Sequence, residues 1–242
     1  MAVTLVSATA ITGVKGVTTV TSGAITVLAG DIAVVCGLGA NATLTSIVCT
    51  DSQSNAYTNF QQNLSSNGRG VLSYATMASS GSPTFTITVN ASSSIVGIVY
   101  ILRGGTLTGA VTSTLATASA TATPSIVSGT ANVGDAIIAF VGANGPAGDT
   151  FTDDVDTLNG SWAASTVSGT TSGAVATNAT AHAQSKIQTT ASSTQTHNPT
   201  LGTARLWMDA IIVVPAAVAA GTAPKRPVIV GNSAAIIRAN NW

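Results

Sequence analysis

A Gly-Asp turn that leads into an apolar strand occurs twice in this chain of 242 residues. Residues 26–36 read TVLAGDIAVVC and residues 130–140 read TANVGDAIIAF, which places Asp31 and Asp135 104 residues apart. Each copy is followed by a long apolar strand, at residues 94–102 and 204–214. Two copies are too few for a solenoid. The spacing therefore predicts two related halves that contribute strands to one sandwich, because neither half alone buries both faces of its sheet.

Short runs rich in Thr, Val and Ile are separated by Gly, Asn, Ser and Asp, which is typical of strands and turns. Phe85, Ile87 and Val89 alternate with threonines, as in a strand with one buried face. Residues 95–102 are apolar on both faces, as in a covered central strand. No window of fifteen residues shows a helical stripe. The predicted strands cover residues 3–7, 24–28, 32–38, 43–50, 56–61, 71–77, 84–89 and 95–102.

We therefore predict an all-β fold, an antiparallel and jelly-roll-like β-sandwich over residues 1–215 with an extended C-terminal arm over residues 216–242. The two halves are expected at about residues 1–105 and 123–215. The Thr/Ser/Ala-rich stretch 106–122 predicts a crossover between sheets or an edge strand. The similar stretch 165–180 predicts a long loop or an exposed hairpin. Asp31 and Asp135 are expected to hydrogen-bond the backbone two residues on, as aspartates in turns do.

Charged residues make up only 7% of the chain, where a soluble domain carries about 25%. Eight Lys and Arg cancel eight Asp, and the chain contains no Glu. No net charge steers the chain toward nucleic acid or an anionic membrane. The 45% hydrophobic content argues against disorder. The charge is unevenly placed, because residues 216–242 hold three cations and no acid (+3) while the rest holds five cations and eight acids (−3).

The C-terminal segment combines an Ala/Gly linker with a basic pair, an apolar run and a terminal Trp. Its charge is opposite to that of the body, which favours an arm that docks on a neighbouring subunit. The alternative is an arm that folds back on its own sandwich. The residues predicted to make the arm contacts are Lys225, Arg226, Val228, Ile229, Ile236, Ile237, Arg238 and Trp242.

The first residues lack the basic and long apolar regions of a signal peptide. The longest apolar run, residues 210–220, is about half of the ~20 residues that span a bilayer. We therefore expect a protein made in a cytoplasm and not embedded in a membrane. Cys36 and Cys49 lie in predicted strands. If these strands form a hairpin, Cys36 lies opposite about residue 45, which favours two buried free thiols over a disulfide.

Half of the acids lie within eight residues, at Asp149, Asp153, Asp154 and Asp156. Calcium takes six to eight oxygen ligands, often from aspartates of one loop. This run lacks the Gly and the bidentate Glu of an EF-hand loop, and strand alternation would point its carboxylates to different sides. We therefore favour a solvated loop, with calcium as a weak alternative, and predict no cofactor.

His182 and His197 lie in polar surroundings, without a Gly-x-Ser-x-Gly nucleophile elbow. Paired-carboxylate chemistry would need two of the aspartates. We therefore predict that the protein is not an enzyme. Trp162, Trp207 and Trp242 are candidates for a sugar-stacking platform. Trp207 lies in an apolar strand and is expected in the core, whereas Trp162 follows an Asn-Gly turn signal.

Several motifs then occur in a recognisable order. These are residues 25–35 (ITVLAGDIAVV), 50–58 (TDSQSNAYT), 84–89 (TFTITV), 97–102 (GIVYIL) and 124–135 (PSIVSGTANVGD). Over residues 20–215 the chain resembles the two-halved β-sandwich domain of tailed-bacteriophage virion proteins and bacterial surface proteins. The resemblance transfers no catalytic residues, and the segment from Pro224 lies outside its pattern.

The resemblance implies a bacteriophage virion structural protein that decorates or cements the capsid. The next alternative is a component of the phage tail. Its partners would be other virion proteins and further copies of itself, and it would bind neither nucleic acid nor a membrane. Its location would be the virion. A second hypothesis is a carbohydrate- or host-surface-binding module that uses Trp162 and the acidic loop. A hydrolase that uses His182 is the third.

Overall fold

The computed structural model describes residues 1–64, 67–116, 120–146, 149–171 and 177–218. Over these residues the chain forms fifteen β-strands and no α-helix. The strands are β1 (Thr4–Thr21), β2 (Ile32–Ala40), β3 (Ile47–Asp51), β4 (Thr58–Asn63), β5 (Arg69–Thr76), β6 (Phe85–Arg103), β7 (Val111–Ala116), β8 (Ile126–Val127), β9 (Ala136–Ala143), β10 (Phe151–Thr152), β11 (Thr166–Gly169), β12 (Thr180–Ile187), β13 (Thr196–His197), β14 (Thr200–Leu201) and β15 (Trp207–Val214).

The strands form two main antiparallel sheets with the same internal order. The first sheet runs β1-β6-β2-β5-β4, with β3 also paired to β6. The second runs β7-β15-β9-β12-β11 when it is read in the corresponding direction. The sheets pack face to face, with β1 against β11 and β4 against β7 at the rims. The predicted all-β antiparallel sandwich is thereby confirmed, and residues 106–122 supply the edge strand β7.

An apolar layer closes the space between the two sheets. It combines alternate residues of the central strands, among them Val34 and Tyr100 from the first sheet and Phe140 and Ile212 from the second. These side chains are fully buried. Because both central strands of each sheet contribute, the layer binds the two sheets into one sandwich.

The outer face of the first sheet is covered by the first part of β6 itself. Phe85 and Ile87 pack with Val35, Val99 and the residues of β3 in a second apolar cluster. The second part of β6 pairs with β2 in the middle of the sheet. Residues 84–89 and 95–102 are therefore one continuous strand rather than two. The predicted strand at residues 24–28 is wrong, because that segment makes only a single bridge, Val27 to Gly81.

The two Gly-Asp turns have the same geometry. Gly30 and Gly134 adopt φ of 87° and 92°, the left-handed region that glycine tolerates best. Asp31 Oδ2 accepts the Leu28 amide at 2.8 Å, and Asp135 Oδ2 accepts the Asn132 amide at 2.8 Å. Both aspartates therefore bond the backbone of their turns, but the predicted bond two residues on is wrong, because each carboxylate accepts the amide three residues before it.

Cys36 and Cys49 are both buried and free, as predicted. The assumed hairpin is wrong, because β2 pairs with β5 and β6 whereas β3 pairs with β6. Cys36 faces the layer between the sheets and Cys49 faces the outer cluster. Burial raises the pKa of the Cys49 thiol to about 12 and also raises that of Cys36. Both thiols are therefore protonated and unreactive at neutral pH.

The described chain ends beside the second Gly-Asp turn. The Ala216 amide donates to Asp135 Oδ1 at 2.8 Å, and the Ala217 amide donates to the Gly104 carbonyl at 2.8 Å. Residues 216 and 217, predicted as linker, are thus tied to the sandwich. Every residue predicted to make the arm contacts, from Lys225 to Trp242, lies outside the described residues.

Candidate functional site

Alternate residues of β12 carry polar side chains into the protein interior. His182, Gln184 and Lys186 are buried on the outer face of the second sheet, whereas Ala181 and Ala183 join the layer between the sheets. The segments around residues 150–163 and 193–201 cover this polar face. The Gln184 side chain fixes the cover, because Oε1 accepts the Asp154 amide at 2.9 Å and Nε2 donates to the Asp154 and Ala163 carbonyls at 3.0 Å.

A histidine–aspartate pair lies at the centre of this face. His197 and Asp209 are both 0% exposed, and Nδ1 of His197 lies 3.6 Å from Oδ1 of Asp209. This distance is longer than a hydrogen bond, and among the described residues neither Asp209 oxygen has a hydrogen-bond partner. Burial raises the pKa of Asp209, while His197 acts in the opposite direction. The other ring nitrogen of His197, Nε2, bonds Gln184 Oε1 at 3.2 Å.

His182 lies at the rim of the same face. Its Nε2 is 3.3 Å from Asp153 Oδ1, and its ring stacks on Phe151 with a centroid distance of 4.3 Å. Burial lowers the pKa of His182 to about 4, against the opposing effect of the Asp153 carboxylate. The imidazole is therefore neutral at physiological pH. The polar residues around His182 in the sequence give no indication that this side chain is buried.

Lys186 extends the network to the covering segments. Its Nζ donates to Gln195 Oε1 at 2.8 Å and to Asp156 Oδ2 at 3.2 Å, and it lies 5.4 Å from the centre of the Trp162 ring. The Leu158 amide and Lys186 together lower the pKa of Asp156. A fully buried lysine is costly unless it is paired and hydrogen-bonded. Here an anion, an amide oxygen and an aromatic face all stabilise the ammonium.

The four clustered aspartates point to different partners. Asp149 binds Arg205 through two contacts of 2.6 and 3.0 Å, Asp153 faces His182, and Asp156 faces Lys186. Asp154 is buried and accepts the backbone amides of Asp156 and Asn198 at 2.8 and 2.9 Å. The favoured solvated-loop interpretation is therefore wrong for Asp149 and Asp154. Within the described residues no group of three or more His, Cys or Asp side chains could hold a metal ion.

The tryptophans of the sandwich are both in the core. Trp162 is only 7% exposed, packs with Ile137 and Ile211, and meets the His197 ring at 5.0 Å. The interpretation of Trp162 as a sugar-stacking platform is therefore wrong, because stacking needs an exposed ring. The core position predicted for Trp207 is confirmed, and its Nε1 donates to Thr121 Oγ1 at 2.7 Å.

Every carboxylate side chain of the protein has a partner within the fold. The remaining aspartates repeat this behaviour: Asp31 pairs with Arg103 at 2.8 Å, and Asp51 accepts from Asn55 and Tyr57 at 2.9 and 3.0 Å. Two of the described cations bond neutral groups, Lys15 to Thr177 at 2.9 Å and Arg69 to Gln61 and Asn63. The surface of the described sandwich therefore presents mainly hydroxyls, amides and apolar groups, and the apolar groups include large exposed side chains such as Val155 and Leu158.

A shallow cleft of about 360 Å³ lies where the two halves meet. Its lining includes Lys15, Asn41, Asn67, Ser94 and Thr177 and no aromatic side chain. Small-molecule sites are lined mainly by hydrophobic and aromatic side chains. The cleft differs from such sites, and it lies away from the buried polar face, with which it shares no residue.

In the described part of the chain, no helix is long and apolar enough to cross a membrane. Comparisons with family models, with curated proteins and with solved structures returned no match for this chain.

Proposed function

We propose that the chain is a bacteriophage virion structural protein that decorates or cements the capsid shell. The observation that carries the proposal is the scarcity of charge: charged residues make up 7% of the chain, its formal net charge is zero, and the eight aspartates contact groups of the sandwich itself. Net charge keeps proteins soluble and apart, whereas a charge near zero promotes association. A surface of this kind suits a subunit that is packed against copies and other virion proteins.

The double coverage of both sheets supports a mechanical role. Each sheet is buried on its inner face by the other sheet and on its outer face by its own covering segments. The titratable groups most suited to chemistry, His197 and Asp209, have no exposed surface on which a substrate could lie. The sandwich therefore serves as a rigid body rather than as a catalyst.

The C-terminal segment would supply the second set of contacts. The described chain leaves the sandwich beside Gly104 and Asp135, and the residues beyond 218 carry Lys225, Arg226, Arg238 and the apolar run 228–230. A tethered arm binds its target at a high effective concentration once the body is bound. Many weak sandwich and arm contacts together would hold the protein firmly on a shell.

The test is binding to capsid shells that lack this protein. We expect full-length protein to cosediment with such shells and a variant truncated after residue 218 to bind more weakly. Imaging of the intact particle then separates a capsid position from a tail position. Full-length protein that stays monomeric and binds neither shells nor tails would contradict the proposal.

A further inference from the structure

Four strands lie at the rims of the two main sheets, and they differ greatly in length. β1 has 18 residues, whereas β4 and β7 have six each and β11 has four. Each of the four pairs with only one strand of its sheet. An exposed edge offers unpaired N–H and C=O groups to another chain, and short edges limit that pairing. β1 is therefore the edge with the greatest capacity to accept a further strand.

Two of the short edges are also occupied by side-chain contacts. On β4, Gln61 Oε1 and Asn59 Oδ1 accept the amides of Ile47 and Cys49 at 3.1 Å, which ties β4 to β3. Arg69 donates to Asn63 at the end of β4 at 2.8 Å and places a positive charge beside that edge. On β11, Ser168 Oγ donates to the Ile11 carbonyl and so closes the corner between the sheets.

The first part of β1 has none of these side-chain contacts, and the one irregularity in residues 4–10 is a register shift against β6 between Leu5 and Ser7. Residues 1–14 contain no charged side chain and no proline, and the first cation is Lys15. The ladder with β6 is regular from Ser7 to Ile11. Among the described residues, the hydrogen bonds of residues 4–10 go only to β6. Leu5 and Val6 are 39% and 40% exposed, large apolar side chains that face solvent.

We propose that a second copy of this chain pairs with β1 through residues 4–10, antiparallel and edge to edge. An antiparallel edge is complementary to itself about a two-fold axis, since each copy presents the same row of donors and acceptors. Because residues 4–10 carry no charged side chain, no like-charged side chains meet across the paired edge. Seven residues give a paired edge of about 24 Å and join the two five-stranded paths into one ten-stranded sheet. This pairing would supply one partner, a second copy of the chain, for the proposed structural role. The pairing itself depends only on the geometry of the β1 edge and does not require the virion role.

The test is the oligomeric state of the full-length protein, by sedimentation velocity across a range of concentrations. We expect a dimer for the wild type and a monomer for the double variant Ala8→Lys/Ala10→Lys, because both alanines are exposed and lysine blocks edge pairing. The matched control is Thr58→Lys, an exposed position on β4, which is expected to remain a dimer. Thermal melting of all three proteins shows whether each variant is folded.

Hydrogen exchange supplies a second measurement that does not need a variant. The amides of residues 4–10 should gain protection as protein concentration rises, while those of β4 should not change. A wild type that is monomeric throughout, or a double lysine variant that stays dimeric, would overturn the pairing. A dimer that fails to bind shells would instead contradict the proposed virion role and leave the pairing intact.

Discussion

The two halves close the outer faces of equivalent sheets by opposite means. Counted from the Gly-Asp turns, Val71, Ser73 and Ala75 of β5 correspond to His182, Gln184 and Lys186 of β12. The same count places Gly97 of β6 opposite Gly37 and Asp209 of β15 opposite Val141. The first half therefore has a mostly apolar outer core, whereas the second has a network of polar side chains at the matching positions.

The covering segments differ in the same way. In the first half β3 pairs with β6 over five residues, and Phe85 and Ile87 fill the core. In the second half the covering segments pair in two separate ladders of two residues each, β10 with β14 and β8 with β13. Gln184 and Lys186 hold this cover by side-chain hydrogen bonds instead. A given sheet order is thus compatible with an apolar or a polar cover, provided that the buried polar groups find partners.

The largest expected effect of a single substitution is the loss of an apolar anchor in the first half. Phe85→Ala removes a fully buried ring and should lower the free energy of unfolding by about 3–5 kcal/mol. Urea denaturation measures the change. The control is Phe60→Ala, where the ring is partly exposed and stacks only on Tyr74, and its smaller effect should stay near 1 kcal/mol. Equal losses in the two variants would contradict the assignment of the apolar cover.

In the second half the comparable effect comes from breaking a buried pair. His197→Leu leaves the buried Asp209 carboxyl without the imidazole that it contacts and should cost about 1–3 kcal/mol. The double variant His197→Leu/Asp209→Leu replaces both polar side chains with apolar ones, so it should recover part of that loss. Denaturation of the wild type, the single variants His197→Leu and Asp209→Leu, and the double variant gives the coupling energy. Strictly additive losses would show that the two side chains do not interact.

Acid should destabilise the second half before the first. The pKa of His182 falls from 6.5 in the unfolded chain to about 4 in the fold, so the unfolded state binds more protons between these values. The contribution of His182 to the free energy of unfolding is therefore fully present above pH 6.5. It declines as the pH falls toward 4, by about 3 kcal/mol at most. The raised pKa of Asp209 has the opposite effect on the pH dependence. The contribution of this carboxyl group to stability falls as the pH rises above the ordinary pKa of an aspartate.

The comparison with His182→Phe isolates this titration. Phenylalanine keeps the stacking on Phe151 but cannot take up a proton, so the difference in stability between the two proteins should depend on pH between 6.5 and 4. Hydrogen exchange at pH 5 should show earlier loss of protection in β12 than in β5. A constant difference across this range would exclude His182 as the source of the pH dependence.

The smallest expected effects come from the feature that the halves share. Gly30→Ala and Gly134→Ala both place a methyl group at positive φ and should each cost about 1–2 kcal/mol. Gly134→Ala should cost slightly more, because its added carbon would lie 3.2 Å from Ala2 Cα whereas nothing lies within 4 Å at Gly30. Thermal melting of the two variants measures this difference, and a larger loss in Gly30→Ala would contradict it.

Local patterns in the sequence accounted for much of the fold. Alternation in β6, the apolar central strands and the two Gly-Asp turns predicted an all-β sandwich, because side-chain period and turn chemistry act over a few residues. The site was predicted less well. The partners of the acidic cluster lie far along the chain, Lys186 thirty residues from Asp156 and Arg205 fifty-six from Asp149, and no local signal links them.

The sequence by itself determined the strand content, the turn geometry and the scarcity of charge. Only the tertiary structure decided that Trp162 is buried, that Asp154 is not solvated, and that His182, His197 and Asp209 lie on one face. The physical reason is that burial and ion pairing depend on which distant strands become neighbours. A polar residue on an alternating strand faces either water or a covering segment, and its own neighbours in the sequence are the same in both cases.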